Sequence, residues 1–304
     1  MIQAAVILLA LILGYFIDIR ALSNRIINHI LSIVIGAIIF VMGYNFGALA
    51  TEIQHELSSL MLITMSYIVA LLIINGFAIW LFFTLKPKYK LLADAHLHSK
   101  KSPLKPVIQS CKYLLYLVIG AFLGIYFGVK LNNISLIIDG ILIITLFIIG
   151  MQMRREGHSL TQLLKNKTGI IVACILIISS LVTGLILGLI FQISIPHALM
   201  ITSGFGWYSL SSILNAQLIN AHYGTITFFI DFSREILAIL LIPTFAKRFG
   251  VELLGYSGAT AMDFTLPVIK DNIGMHAVPV AISSGFILTI ATPILIPIIN
   301  LFAH

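Results

Sequence analysis

Of 304 residues, 60% are hydrophobic and only 10% charged, with a mean hydropathy of +1.08. Soluble domains carry about 25% charged residues, so an ordinary soluble enzyme or binding module is excluded. The net charge of +7 calls for no nucleic acid, because the basic residues fall in short loops between apolar runs, as in cytoplasmic loops of membrane proteins.

In chain order the apolar runs cover residues 2–19, 27–50, 59–85, 112–130, 133–153, 168–191, 196–220, 222–246, 250–270 and 275–303. A membrane span needs about 20 apolar residues. The pattern predicts an all-α polytopic membrane protein, with residues 1–304 forming one integral domain. No basic residue precedes the first run, MIQAAVILLALILGYF, so no cleavable signal peptide is expected. Residues 86–110 (KPKYKLLADAHLHSKKSPLKP and flanks) are the one soluble-looking stretch and read as a flexible, basic cytoplasmic loop.

The seventh and ninth runs differ from the others. SGFGWYSLSS (203–212) and GYSGATAMDFTLP (255–267) are rich in Gly, Ser and Thr where the other runs hold Leu and Ile. Glycine weakens a helix interior and exposes backbone, which membrane depth tolerates only around a cavity or inside protein. These segments are expected to be re-entrant or broken helices; close packing of full spans on small residues is the plainer alternative.

Lysine and arginine orient the chain. Lys86, Lys88, Lys90, Lys100, Lys101, Lys105 and Lys112 place the long loop in the cytoplasm, and Arg20, Arg25, Arg154, Arg155, Lys165 and Lys167 follow. The loop with Glu52 and Glu56 has no basic residue and falls outside. If the seventh and ninth runs return to the side they entered, Lys247, Arg248 and Lys270 are also cytoplasmic; if all ten cross, Lys247 and Arg248 move outside. The preferred reading is eight spans plus two hairpins, both termini outside. A hairpin followed by a span then occurs twice from opposite faces, an inverted-repeat, transporter-like core with its site at midplane.

The eighth run carries TFFIDFSREILAILLIP (227–243), with three ionisable residues where hydrocarbon is expected. Each costs about 2.5–3.5 kcal/mol at a membrane helix centre. Helical spacing puts Thr227, Asp231, Arg234, Glu235 and Ala238 on one stripe. That stripe is expected to face protein or water, with Arg234 paired to a carboxylate. Asp263 adds an acid in the ninth run. Glu235 and Asp263 are expected to converge on one aqueous cavity, with Asp231 and Arg234 nearby; a purely structural ion-paired network is the alternative. Trp207 and Tyr208 read equally as a cation–π face for an ammonium group and as interfacial anchors.

Other polar residues point to less. Asp18 and Asp139 suit membrane interfaces, and His96 and His98 a solvated loop. His55 and Glu56 lack the second histidine of a zinc-protease helix. Cys111 and Cys174 show neither disulfide nor metal-ligand spacing. No cofactor and no metal are expected.

SGFGWYSLSSIL, FFIDFSREILAILLIP and GATAMDFTLPVI, in this order and spacing, resemble the signature blocks of the LysO-type bacterial lysine exporter family, and IIGMQMRREG (148–157) also fits. The resemblance is strongest from about Gly150 onward. It implies a multi-pass inner-membrane exporter of L-lysine and its toxic analogue thialysine, with the family's intramembrane acidic pair on Glu235 and Asp263. Lysine carries two ammonium groups and one carboxylate. The two acids suit the ammoniums, and backbone N–H groups at broken-helix ends near Gly204, Gly206 or Gly258 suit the carboxylate. One proton taken in for each lysine released makes the exchange electroneutral, so proton antiport is expected. A carrier of another small solute, such as a sodium-coupled one, remains an alternative. An intramembrane aspartyl protease is disfavoured because ATAM, not GxGD, precedes Asp263.

Overall fold

The computed structural model describes residues 9–10, 12–17, 24–49, 57–86, 104–127, 140, 143–144, 147–148, 151 and 166–303. The helices are α1 (Asn24–Leu49), α2 (Leu57–Leu85), α3 (Leu104–Phe127), α4 (Lys167–Ile190), α5 (Ile195–Thr202), α6 (Tyr208–Leu218) and α7 (Ala221–Tyr256). A 3-10 turn (Gly258–Met262), α8 (Leu266–Asn272), a second 3-10 turn (Met275–Ala277) and α9 (Val278–Asn300) follow. Among the described residues regular structure is helical throughout, and no strand occurs.

Among the described residues three stretches are long and apolar enough to cross a membrane: Leu60–Leu85, Lys167–Ile190 and Met275–Asn300, with mean hydropathies of 2.4, 2.9 and 2.1. Their surfaces carry apolar side chains outward. On α2, Met61, Met65, Val69, Ile73 and Phe77 recur every fourth residue along an exposed stripe, while Tyr67, Leu71, Ile79 and Phe83 are buried on the other side. An apolar outer face of this kind belongs in lipid.

The helix α3 starts at Leu104, so the end of the stretch read as a loop over 86–110 is helical. Apolar periodicity marks the part of a helix that lipid or core covers, and Lys105, Gln109, Ser110 and Lys112 extend the helix beyond it. The remainder of that loop from residue 87 to 103, most of the run 133–153, and Asp18 and Asp139 lie outside the described residues.

Glycines bring α1 and α3 into backbone contact. A methyl group on Gly43 or Gly47 would lie 2.2 or 2.0 Å from the carbonyl oxygen of Leu117 or Ala121; on Gly120 or Gly124 it would lie 2.1 Å from that of Phe40 or Tyr44. Two GxxxG motifs, GYNFG (43–47) and GAFLG (120–124), therefore face each other, the small-residue packing that membrane helices use.

Local sequence sets the ends of α4. Asn166 caps its N-terminus, its Oδ1 accepting from the Gly169 N–H at 2.9 Å. After α4, Gln192 adopts φ 55° and the Ile193 N–H returns to the Gly188 carbonyl at 2.9 Å, closing the helix.

The chain reverses twice in its C-terminal half. The Asn215 side-chain amide donates to the Met200 carbonyl at 3.2 Å, and Gly204 abuts Ser211. A continuous helix would hold Met200 and Asn215 about 22 Å apart, so α6 folds back on α5 at residues 203–207. The element α7 contains the non-helical Phe249 (φ −127°, ψ 39°). Arg234 Nη1 donates to the Tyr256 carbonyl at 3.3 Å, whereas an unbroken helix would separate these residues by about 33 Å. Residues 250–256 are thus a separate arm running back along α7.

A buried polar node joins α2 to α4. Asn75 donates to Ser180 Oγ at 3.2 Å and accepts from the Ser179 hydroxyl at 2.8 Å. Asn75→Ala is expected to cost about 1 kcal/mol, near the upper side of measured interhelical bonds. Thermal unfolding in detergent, with Ser66→Ala on the same helix as reference, measures it.

Candidate functional site

The two reversals bring their tips together. The Ala259 N–H donates to the Phe205 carbonyl at 2.8 Å, linking the tip of α5–α6 to that of the 250–256 arm. Phe205, Gly206 and Gly258 all have positive φ, at 51°, 96° and 68°. Gly258 must be glycine on two counts: an L side chain disfavours that φ, and a methyl there would lie 2.0 Å from Phe205 O. Phe205 holds a conformation that non-glycine residues rarely take, strain of the kind that collects at functional sites. The Thr292 hydroxyl of α9 donates to the Gly204 carbonyl at 3.1 Å and braces the first tip.

The charged stripe of α7 lies against these tips, and Thr227, Asp231, Arg234, Glu235 and Ala238 are all buried, as the spacing predicts. Asp231 Oδ1 accepts the Gly206 N–H at 2.9 Å, and Oδ2 accepts the Ser211 hydroxyl at 2.6 Å. Gly204 leaves room for this carboxylate, since a methyl on it would fall 1.7 Å from Oδ2. One turn on, Arg234 reaches the Tyr256 carbonyl and sits over the Tyr256 ring at 5.1 Å. Each charge meets the helix end that suits it. Asp231 accepts the Gly206 N–H just ahead of α6, and Arg234 faces a carbonyl where the 250–256 arm ends.

Two expectations change. Arg234 makes no ion pair among the described residues; the Asp231 oxygens accept from Gly206 and Ser211, and Asp231 acts on Arg234 only at longer range. The Gly206 N–H, expected to hold a substrate carboxylate, is occupied by Asp231. The Tyr208 ring packs edge-on against Phe228 and Phe232, at 5.5 and 5.4 Å between centroids, while at the tips it is the Tyr256 ring that lies under Arg234. Trp207 is half-buried between the two larger apolar clusters.

The structure therefore unites Gly204, Gly206, Asp231, Arg234 and Gly258 in one cluster. Glu235 follows Arg234 on α7 and is fully buried. Asp263 lies just past the second tip, at the end of the 3-10 turn, where it is exposed and its Oδ1 accepts the Phe264 N–H. Ser211, Tyr256 and Thr292 complete the cluster without a sequence signal, since only the two reversals bring them to α7. Glu252, buried in the 250–256 arm, did have one: an acid inside an apolar run. No group of three or more His, Cys, Asp or Glu side chains able to hold a metal occurs among the described residues.

Buried ionisable residues set where two interrupted helical segments meet, within a helical body faced by apolar side chains, fit the build of a membrane transport protein. A family model described as Lysine exporter LysO matches residues 114–300. The chain belongs to that lysine exporter family. It is 37% identical over 294 residues to "Lysine exporter LysO" of Escherichia coli (strain K12), covering 96% of both chains. It is also 39% identical over 162 residues to a "Putative lysine exporter" of Haemophilus influenzae, covering 53% of this chain and 83% of that one. No solved structure matches.

Proposed function

We propose that this protein is a secondary active exporter of L-lysine, and of thialysine, across the bacterial inner membrane, with protons as the exchanged ion. Family membership and the name of the E. coli relative support the substrate. The observation that carries the transport reading is the tip-to-tip contact between Ala259 and Phe205 beside Asp231 and Arg234. In this reading the α5–α6 segment and the 250–272 segment are re-entrant hairpins entered from opposite faces, each followed by a span, α7 or α9. The core is then an inverted repeat with its site between the tips.

The chain path supports that topology. Asn75 lies beside Ser179 and Ser180, while Gly255 touches Ile79 and Val172, so α2 and α4 run antiparallel. Lys86, Lys167, Lys247, Arg248 and Lys270 then fall at one end of the protein, which the positive-inside rule places in the cytoplasm. The C-terminal end of α9 falls at the other, outside. A reporter fused after Arg248 that signals from the periplasm contradicts this orientation.

Lysine leaves with a net charge of +1, and moving it out of a negative-inside cell costs about 2.3 kcal/mol per 100 mV. Exchange for one proton cancels that electrical cost and leaves the pH gradient to drive export. Glu235 from α7 and Asp263 beside the second tip supply the acidic pair, binding the ammonium groups in one half of the cycle and protons in the other. Asp263 is exposed and Glu235 fully buried, so the two acids of the pair sit in different surroundings. Glu235→Gln and Asp263→Asn are each expected to abolish thialysine resistance in an export-deficient bacterium while the protein still inserts. Lysine flux in proteoliposomes is expected to follow an imposed pH gradient. Flux that ignores that gradient removes the proton step; retained resistance in both variants removes the acidic pair.

A further inference from the structure

Arg234 is 1% exposed, and of its three guanidinium nitrogens only Nη1 has an acceptor, the Tyr256 carbonyl. Nε and Nη2 are buried with no hydrogen-bond partner. These two nitrogens share the side edge of the guanidinium plane, where two parallel N–H bonds point the same way. A carboxylate is the group whose two oxygens match that edge. Neither carboxylate of the same stripe fills it: Nε and Nη2 have no acceptor, and Asp231 is instead oriented toward the Gly206 N–H and the Ser211 hydroxyl.

Buried donors left unmade are costly, and most buried polar groups have a partner. The Arg234 side chain passes both tips: methyl groups placed on Gly206 and Gly258 would lie 3.1 and 3.3 Å from its Cδ. It therefore stands where the two tips must part if a solute is to pass between them. The backbone N–H first expected to receive a substrate carboxylate is occupied by Asp231.

We infer that the Nε–Nη2 edge of Arg234 binds the α-carboxylate of the transported amino acid, making Arg234 the residue that selects an amino acid over a carboxylate-free diamine or amide. The inference rests on the lysine-export reading and gives one end of the substrate a place. The acidic residues then take the ammonium groups.

The test is competition against labelled L-lysine in proteoliposomes by unlabelled L-lysine, lysinamide and cadaverine, using wild type, Arg234→Lys and Arg234→Gln. Lysinamide and cadaverine keep two amino groups and lack the carboxylate. On the wild type both are expected to compete at least about tenfold more weakly than lysine, the scale of a charge-assisted pair. In Arg234→Gln, lysine is expected to weaken by about tenfold or more while lysinamide changes little, so the preference collapses. Arg234→Lys keeps the charge but not the paired edge and is expected to fall between.

Wild-type vesicles in which lysinamide competes as well as lysine overturn the assignment. So does a variant that loses lysine and lysinamide in equal proportion, since a purely structural arginine behaves that way. Where a variant fails to reconstitute, the wild-type comparison decides. Wild-type vesicles that carry no lysine overturn the export reading and this assignment with it; vesicles that carry lysine without selecting its carboxylate overturn only the assignment.

Discussion

Replacing Asp231 with alanine is expected to leave little folded protein. The carboxylate accepts the Gly206 N–H and the Ser211 hydroxyl, both deep inside the protein, and is the acid that acts on Arg234 from one turn away. Each such hydrogen bond contributes about 0.5–1.5 kcal/mol. Their loss also strands two buried donors, at about 1–3 kcal/mol each. Set against a total stability of about 5–15 kcal/mol, that is enough to unfold much of the population.

Asp231→Asn retains an acceptor for Gly206 and is expected to lose less. Size-exclusion profiles and thermal unfolding in detergent rank the three proteins. An alanine variant as stable as wild type removes Asp231 from its place as the brace of the first tip.

Gly258→Ala is expected to be far more damaging than Gly206→Ala, its positive-φ counterpart at the other tip. At φ 68° an L side chain costs about 1–2 kcal/mol. The added methyl would also meet Phe205 O at 2.0 Å, the oxygen that accepts the Ala259 N–H. Backbone cannot swing aside as a side-chain end does, so the tips must separate and that bond must break. Gly206→Ala has a positive φ too, but its nearest neighbours are at 3.1 and 3.2 Å, so it carries mainly the backbone strain.

Gly76 provides the control. It lies within α2 with nothing within 4 Å of an added methyl, and alanine favours a helix, so Gly76→Ala is expected to be neutral or stabilising by up to about 1 kcal/mol. Unfolding temperatures in detergent test the order, from most to least damaging: Gly258, Gly206, Gly76. A Gly206 variant weaker than the Gly258 one argues against direct tip contact.

The apolar runs at 59–85, 168–191 and 275–303 appear as helices within a few residues, because lipid-length hydrophobicity is a property of consecutive residues. Burial of Asp231, Arg234 and Glu235 on one stripe was equally legible, since helical spacing fixes which side chains share a face and the cost of charge in hydrocarbon fixes which way they point. The weak, glycine-rich segments at 203–212 and 255–267 also stood out by composition. The start of α3 at Leu104 did not, because polar residues extend a helix beyond its apolar part without an apolar signature. The GxxxG pair of α1 and α3 was present as a pattern but had no assigned partner.

By itself, then, the sequence determined a helical membrane protein with buried charge on one helix and two interrupted segments, since all of these follow from local spacing and composition. Tertiary structure alone decided which groups those charges meet. Asp231 goes to Gly206 and Ser211, and Arg234 to Tyr256, across gaps of 20 to 25 residues. Those partners depend on where the chain turns back, at 203–207 and at Phe249. Reversal is settled by long-range packing of the returning arms, which no local stretch encodes.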